Sequence, residues 1–454
     1  MTTTTTIRTT TDAVTAPRIV ITGTGWVTPL GHDIEGVWAR LMRGETGVGP
    51  ITRFDAATFT TNFAAEVRDL RLEDFFDDPS AHKHAGLNTR YGLCAAAQAW
   101  RQAGLDKPGS VNPRRMGVYL GSGEGSLDFD NFIASNLAGW KADERRVDAA
   151  AWARAAYERM DRDREIEQEP NMPLAHIAGE FGARGPSYNC LTACAASTQA
   201  IGEAFEILRR GDADVMIAGG AHTMIHPLGV TGFIRLTALS SRRDDPQHAS
   251  RPFDSTRDGF VMGEGSGMLI IETLDHARAR GATPLAEIVG YGSSADAFRI
   301  TDIQPDGLGA QAAMHEALEQ AGIDPRAQGP DGRPQVHYIS AHGTGTKEND
   351  SIETRGIRAV FGDNAPKVPV SSVKSMFGHL IAAAGAVELI TCVQAIRTGW
   401  LPPTMNLRSP DPVCDLDYIP NAARDLSQQG VEVCLSNSFG FGGQNDTLVV
   451  RRFR

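Results

Sequence analysis

Short apolar runs, rich in β-branched residues and often closed by glycine or a small polar residue, recur from one end of the chain to the other. They are RIVITG (18–23), MGVYLGSG (116–123), ADVMIAGGA (213–221), GMLIIE (267–272), VHYISAHG (336–343), VPVSSV (368–373), VEVCLSNS (431–438) and DTLVVRR (446–452). Helical patterns lie between several of them. DIEGVWARLMRG places Ile34, Val37, Trp38 and Leu41 on one face, and GEAFEILRRG (202–211) and AAMHEALEQAG (312–322) read the same way. Strand and helix alternation predicts a layered α/β fold. AEIVGYGSS (286–294) restarts a strand after a helix and opens a second block ending in SFGFGG. The chain therefore reads as two comparable halves, 18–285 and 286–454, behind a Thr-rich tail (1–17) expected to be disordered. Lys141–Glu169 is charged and largely helical. It reads as a surface excursion with Ala149, Ala150, Trp152, Ala153 and Ala156 on one side.

Composition removes several classes. The chain has 454 residues and a net charge of −11 with His neutral, which argues against a nucleic-acid binder. Apolar residues at 41% and charged residues at 22% exclude a disordered chain. No apolar run reaches the roughly 20 residues a membrane span needs, and the N-terminus lacks a secretory core. The six cysteines form no CxxC pair, so a disulfide scaffold or zinc cage is not expected and a reducing cytoplasm is.

Cys194 ends GPSYNCLTAC and precedes the small-residue run AAST, at a strand-to-helix turn. Unpaired backbone N–H groups and the positive helix end there stabilise a thiolate or an oxyanion, although a buried core cysteine fits the residue alone equally well. Cys190 reads as part of the strand. His342 follows VHYIS, where strand-end side chains reach a site, and Gly343 and Gly345 admit a ligand beside the hydroxyls of Thr344 and Thr346. Lys374 and His379 follow another strand end, before a small-residue helix that holds Glu388. One Cys and two His in such loops fit covalent catalysis with oxyanion stabilisation. SNSFGFGGQND (436–446) reads either as a flexible loop placing an aromatic ring over an apolar tunnel or as a hairpin turn.

TACAAST, AHGTGT, VKSMFGHLIAAAGAVE, NSFGFGGQN and SRPFDSTRDGFVMGEG together resemble a β-ketoacyl-acyl-carrier-protein synthase of the elongating, Cys-His-His type, over about residues 18–452. The resemblance implies a duplicated, five-layered αβαβα thiolase-like fold, a homodimer, an acyl carrier protein as partner and no bound cofactor, since phosphopantetheine arrives on the carrier. It implies Cys194 as nucleophile, His342 and His379 as donors to the malonyl thioester, and Lys374 with Glu388 as their support. Cys194 and Phe441 would supply the oxyanion-hole N–H groups, with Phe441 also a gate. Thr344 and Thr346 would contact the pantetheine arm, and Phe233 would line the acyl pocket. Glu388, Ser436 and Asn437 match positions that hold a monovalent cation in some relatives, but Ser340 stands where those carry Asn.

The chain departs from the fatty-acid pattern in places. Glu124, in GSGEGS, stands where an apolar pocket residue is usual, which predicts a short, polar or rearranged acyl pocket. Thr237 replaces an Arg used in carrier recognition, with Arg235, Arg242 and Arg243 nearby. DDPQHASRPFDSTRDGF, TGTKENDSIET and PDPVCDLDYIP resemble the ketosynthases of type II polyketide synthases. The alternative is thus a polyketide or polyene ketosynthase of the same chemistry, with a chain-length-factor-like subunit as the other partner. A degradative thiolase would need a second Cys in the last glycine-rich loop, where Phe441 stands. No Walker pattern supports a nucleotide site.

Overall fold

The computed structural model describes residues 16–454 except 108, 124, 125 and 301. All but the last two residues of the expected Thr-rich tail, and Glu124, lie outside the described residues. One mixed sheet has ten strands: β1 (Ile19–Val27), β2 (Met116–Ser122), β3 (Ser187–Cys190), β4 (Val215–His222), β5 (Gly265–Thr273), β6 (Ala286–Ala295), β7 (Tyr338–Ser340), β8 (Val370–Ser371), β9 (Val433–Gly440) and β10 (Gln444–Arg451). Outward from the middle the first half runs β1-β5-β4-β2-β3 and the second β6-β10-β9-β7-β8. In each half the first two pairings are antiparallel and the last two parallel. The halves join where Ile19–Ile21 of β1 pairs antiparallel with Ala286–Ile288 of β6.

Helices α1 (Leu87–Ala103) and α2 (Met172–Phe181) cover the first half. In chain order follow α3 (Ala196–Arg209), α4 (Leu308–Gln320), α5 (Lys347–Phe361) and α6 (Ala384–Thr398). Of these, α4 and α5 cover the second half, while α3 and α6 pack on each other and on strands of both halves. The result is the five-layered, duplicated thiolase-like fold. In α6 every residue from Ala384 to Ile396 is buried, Glu388, Thr391 and Gln394 among them. Residues 381–398 are long and apolar enough to cross a membrane, but 89% of that stretch is buried inside the protein.

The repeat extends to single residues. β1 and β6 each carry a bulge just before a Gly-x-Gly, with register shifts between Ile21 and Gly23 and between Ile288 and Gly290. A Cβ on Gly23 or Gly25 would fall 2.0 Å from the carbonyl oxygen of Ala99 or Ala95 of α1. On Gly290 it would meet Ala317 O at 2.0 Å, and on Gly292 Ala313 O at 2.1 Å, both in α4. Glycine on the strand and alanine on the helix let the two backbones touch.

Of its two sequence readings the segment 436–446 takes the hairpin: β9 continues to Gly440, residues 441–443 turn, and β10 begins at Gln444. Ser436 pairs with both β7 and β10, and Asn437 and Ser438 pair with β10. One sequence expectation needs correction. In the excursion, helix Ala149–Arg159 buries Ala155 and Ala156, while Ala149, Ala150 and Ala153 are exposed. The face is turned because Trp152 packs back toward the helix Phe129–Gly139, its indole N–H donating to Asn136 Oδ1 at 3.0 Å.

Gly290→Val should lower stability by about 2–3 kcal/mol, because neither backbone can retreat. Gly179→Ala, exposed in α2 with nothing within 4 Å of the new Cβ, should be neutral or gain up to about 1 kcal/mol. Denaturation midpoints of the two variants check this contrast.

Candidate active site

Cys194 lies in a single 3₁₀ turn, Ala193–Ala195, that runs directly into α3. Ala193 turns the chain out of β3 with a left-handed φ of 47°, and the turn leaves Cys194 at the positive end of α3. His342 lies between β7 and α5. Both oxygens of the buried Glu353 carboxylate accept backbone N–H groups, from His342 and Gly343, each at 2.8 Å. His379 follows the one-turn helix Lys374–Phe377. Its N–H donates to Val261 O at 2.7 Å and its carbonyl accepts from Gly263 N–H at 2.9 Å. Each imidazole therefore hangs from a backbone fixed on both sides.

The three side chains meet. His379 Nε2 is 3.0 Å from Cys194 Sγ, the two imidazoles are edge to face at 5.5 Å between centroids, and Sγ and one nitrogen of each ring all lie within 4.8 Å of one another. The far sides of the rings assign the protons. His379 Nδ1 accepts from Ile381 N–H at 3.2 Å, so Nε2 carries the hydrogen and donates toward sulfur. Lys374 Nζ stands 3.5 Å from His342 Nδ1 and donates to His342 O at 2.7 Å, which leaves the His342 Nε2–H free for the pocket. Burial, then the Lys374 ammonium, hold both imidazoles well below the usual histidine range. The rings are neutral hydrogen-bond donors. The same assignment argues against a metal at this cluster, since a metal-binding Nε2 needs its hydrogen on Nδ1, and both Nδ1 atoms face donors.

Burial pushes the Cys194 thiol up to about 11; Lys374 and the N–H groups of Phe441 and of Cys194 itself act in the opposite direction. Those two amides thus lie beside the reacting sulfur. Lys374 forms a buried ion pair with Glu388. Burial pushes Glu388 up to about 7 against the pull of Lys374, and Glu353 up to about 7 against its two amides. Ser340 Oγ, Ser436 Oγ and Glu388 Oε2 are buried without a partner, and the two serines face each other across the β7–β9 ladder. The Asn437 side chain is committed elsewhere, to Glu353 at 3.3 Å and Thr447 at 2.9 Å.

A cavity of about 500 Å³ joins Cys194, His342, His379, Phe441, Thr344 and Thr346. The two threonine hydroxyls are 3.0 Å apart, and Thr346 also caps α5 by accepting from Asn349 N–H. Phe233 does not line this cavity. It packs edge-on against Phe260 at 5.5 Å, inside the apolar cluster that buries Cys194. Sequence reasoning missed three residues here. Phe260 meets the His379 ring edge-on at 5.1 Å and Phe439 meets His342 at 5.8 Å. The third is Glu353, whose only sequence signal is an acidic residue on the apolar face of α5.

Fold and site together define a condensing enzyme of the thiolase-like class. Residues 16–277 match the family described as beta-ketoacyl synthase, N-terminal domain, and residues 285–408 its C-terminal domain. The 3-oxoacyl-[acyl-carrier-protein] synthase 2 of Synechocystis is 43% identical and that of Coxiella burnetii 41%, each over 96% of this chain and 98% of the relative. A beta-ketoacyl synthase from Burkholderia phymatum superimposes with a TM-score of 0.83 at 33% identity, over 96% of this chain and all of that one. A type II polyketide ketosynthase, solved with its acyl-carrier protein and bound to the hexaketide, gives 0.82 at 32% identity, over 97% of this chain and all of that one. The chain belongs to the beta-ketoacyl synthase family.

The Lys374 assignment makes a pH prediction. Catalysis by neutral imidazoles fails as pH drops through their pKa values, and Lys374 holds those values down. Lys374→Met combined with Glu388→Gln, which leaves no buried charge unpaired, should move the acid limb of malonyl-thioester decarboxylation to higher pH. A rate–pH profile with an unmoved or lowered acid limb would contradict the assignment.

Proposed function

We propose that this protein extends an acyl chain by decarboxylative Claisen condensation, the 3-oxoacyl-[acyl-carrier-protein] synthase reaction of fatty-acid elongation. The observation that carries the reading is the placement of two Nε2–H donors and two backbone amides beside one sulfur. The Cys194 sulfur attacks the acyl thioester, its proton passes to the leaving carrier sulfur, and the carrier thiol departs. Malonyl thioester then enters, and the His342 and His379 Nε2–H groups donate to its carbonyl oxygen. The bond to the carboxylate breaks, CO₂ departs, and its electron pair becomes an enolate that the two donors stabilise. The enolate carbon attacks the Cys194 thioester, whose oxyanion rests on the Cys194 and Phe441 N–H groups. Collapse expels the thiolate and releases the 3-oxoacyl product on the carrier. Thr344 and Thr346 flank the path of the pantetheine arm, which arrives on the carrier, so the protein needs no cofactor of its own.

A type II polyketide or polyene ketosynthase is the second reading. Its support is the likeness to the polyketide ketosynthase above and to the ishigamide ketosynthase/chain length factor, TM-score 0.83 at 32% identity over 97% of this chain. The acyl carrier protein is the partner in both readings. Exposed Arg235 and Arg243 lie close in sequence to Leu236 and Thr237 at the cavity wall, as docking of an acidic carrier asks. A second copy of the chain, or a chain-length-factor-like subunit, fits the outer edge of the sheet. Among the described residues β3 has no strand beyond it, and Tyr188 and Leu191 are exposed there. The six thiols are unpaired, in keeping with a reaction in the cytoplasm.

Cys194→Ala should abolish condensation, while Cys194→Gln should keep malonyl decarboxylation because both imidazoles remain. Intact-mass detection of acyl groups on Cys194 after incubation with acyl-carrier proteins checks the first step, and the groups that load separate the two readings. Loss of decarboxylation in the Gln variant would remove the histidines from their role. Tyr188→Asp should shift sedimentation from dimer to monomer; a wild-type monomer would refute the edge pairing.

A further inference from the structure

A second pair of histidines stands outside the walls of the Cys194 cavity. His82 closes the single turn Ser80–His82, and His176 lies on α2. Their Nδ1 atoms face each other at 2.8 Å, with the rings 5.0 Å apart between centroids and at 60° to one another. Each Nε2 faces a carboxylate. His82 Nε2 is 2.9 Å from Glu180 Oε2, one turn further along α2, and His176 Nε2 is 2.8 Å from Glu167 Oε1. His82 and Glu167 are buried.

The hydrogens of this row do not balance. Three contacts stand in line, carboxylate to ring, ring to ring and ring to carboxylate, while two neutral imidazoles bring two hydrogens. An ionised carboxylate only accepts, so each Nε2 carries a hydrogen and both Nδ1 atoms aim bare lone pairs at one another. Something positive belongs between them, a shared proton or a metal ion. A ring whose far N–H is held by a carboxylate is the usual state of a metal-bound histidine, and here both rings have it. Two nitrogens bound about 2.0–2.1 Å from one ion, at a right angle, stand about 2.9 Å apart, close to the spacing seen. The two carboxylates offset a divalent charge. His82 also lines a cavity of about 630 Å³ together with the exposed Glu73 and Asp78, so its ring is reached from the surface.

We infer that the Nδ1 atoms of His82 and His176 bind a divalent transition-metal ion of the class imidazole suits, zinc, nickel or copper. Glu180 and Glu167 orient the rings, and water completes the coordination. The ligands come from the 80–82 turn and from α2, and one orienting carboxylate comes from the 141–169 excursion. The ion therefore clasps the end of the excursion to the first half of the fold. The test is calorimetric titration of zinc into the full chain carrying Cys194→Ala, which removes the catalytic sulfur as a competing ligand. A single bound ion is expected. Adding His82→Gln should abolish that binding, and adding Glu180→Ala should weaken it about tenfold. Zinc should also raise the melting temperature of the parent protein and leave that of the His82→Gln variant where it is. Glu180→Ala alters a partly exposed side chain and keeps the test decisive should His82→Gln fail to fold. Absence of zinc binding, which leaves a shared proton between the rings, overturns the inference, as does zinc bound as tightly by the folded variants as by the parent.

Discussion

The Lys374 ammonium is the interaction on which the site depends. It is buried against Glu388, donates to the His342 carbonyl and faces His342 Nδ1. Taking such a pair out of water is costly, and an apolar pair of the same volume is often as stable. What the charge supplies is specific: it keeps both imidazoles uncharged and sends the His342 hydrogen to the nitrogen that faces the pocket. A buried positive charge beside neutral donors stabilises a developing enolate without being consumed by it. The layers around it, α6 beneath and β7 and β9 beside, keep water from screening that charge.

The duplicated fold explains how so few residues suffice. The turn that holds Cys194 occurs twice. Ala193–Ala195 leads into α3 with Ala193 at φ 47°, and Ile381–Ala383 leads into α6 with Ile381 at φ 45°. Cys194 occupies the middle of the first turn and Ala382 the middle of the second. Where the first half presents Leu191, the second presents His379, whose Nδ1 takes the Ile381 N–H freed by that turn. One local geometry thus carries the nucleophile in one half and a proton donor in the other. Gly385 lets the two helices touch, since a Cβ there would meet Thr198 Oγ1 at 1.8 Å.

Much of this was legible in the sequence because it rests on local rules. Strand runs ending in glycine, small-residue helix starts and the loops bearing Cys194, His342 and His379 all stand where the pattern places them. What stayed hidden depends on contacts distant in sequence. Phe260 and Phe439 touch the histidines only after folding. Glu353 reads as one more acid on a charged helix until the His342 backbone closes on it. The hairpin under Phe441 stayed one of two readings, because Ser436, Asn437 and Ser438 lie in the β9–β10 ladder, where side-chain polarity no longer marks a loop. In the excursion, one tryptophan decided which alanines face inward.

The pairing of β1 with β6 makes both halves one hydrogen-bonded body, with α3 and α6 clamped between them. The sulfur and both imidazoles are therefore carried by one continuous sheet and the helices packed on it. One cavity of about 500 Å³ reaches the sulfur and both imidazoles, so the arm that delivers the acyl group and the arm that delivers the extender approach Cys194 by the same way.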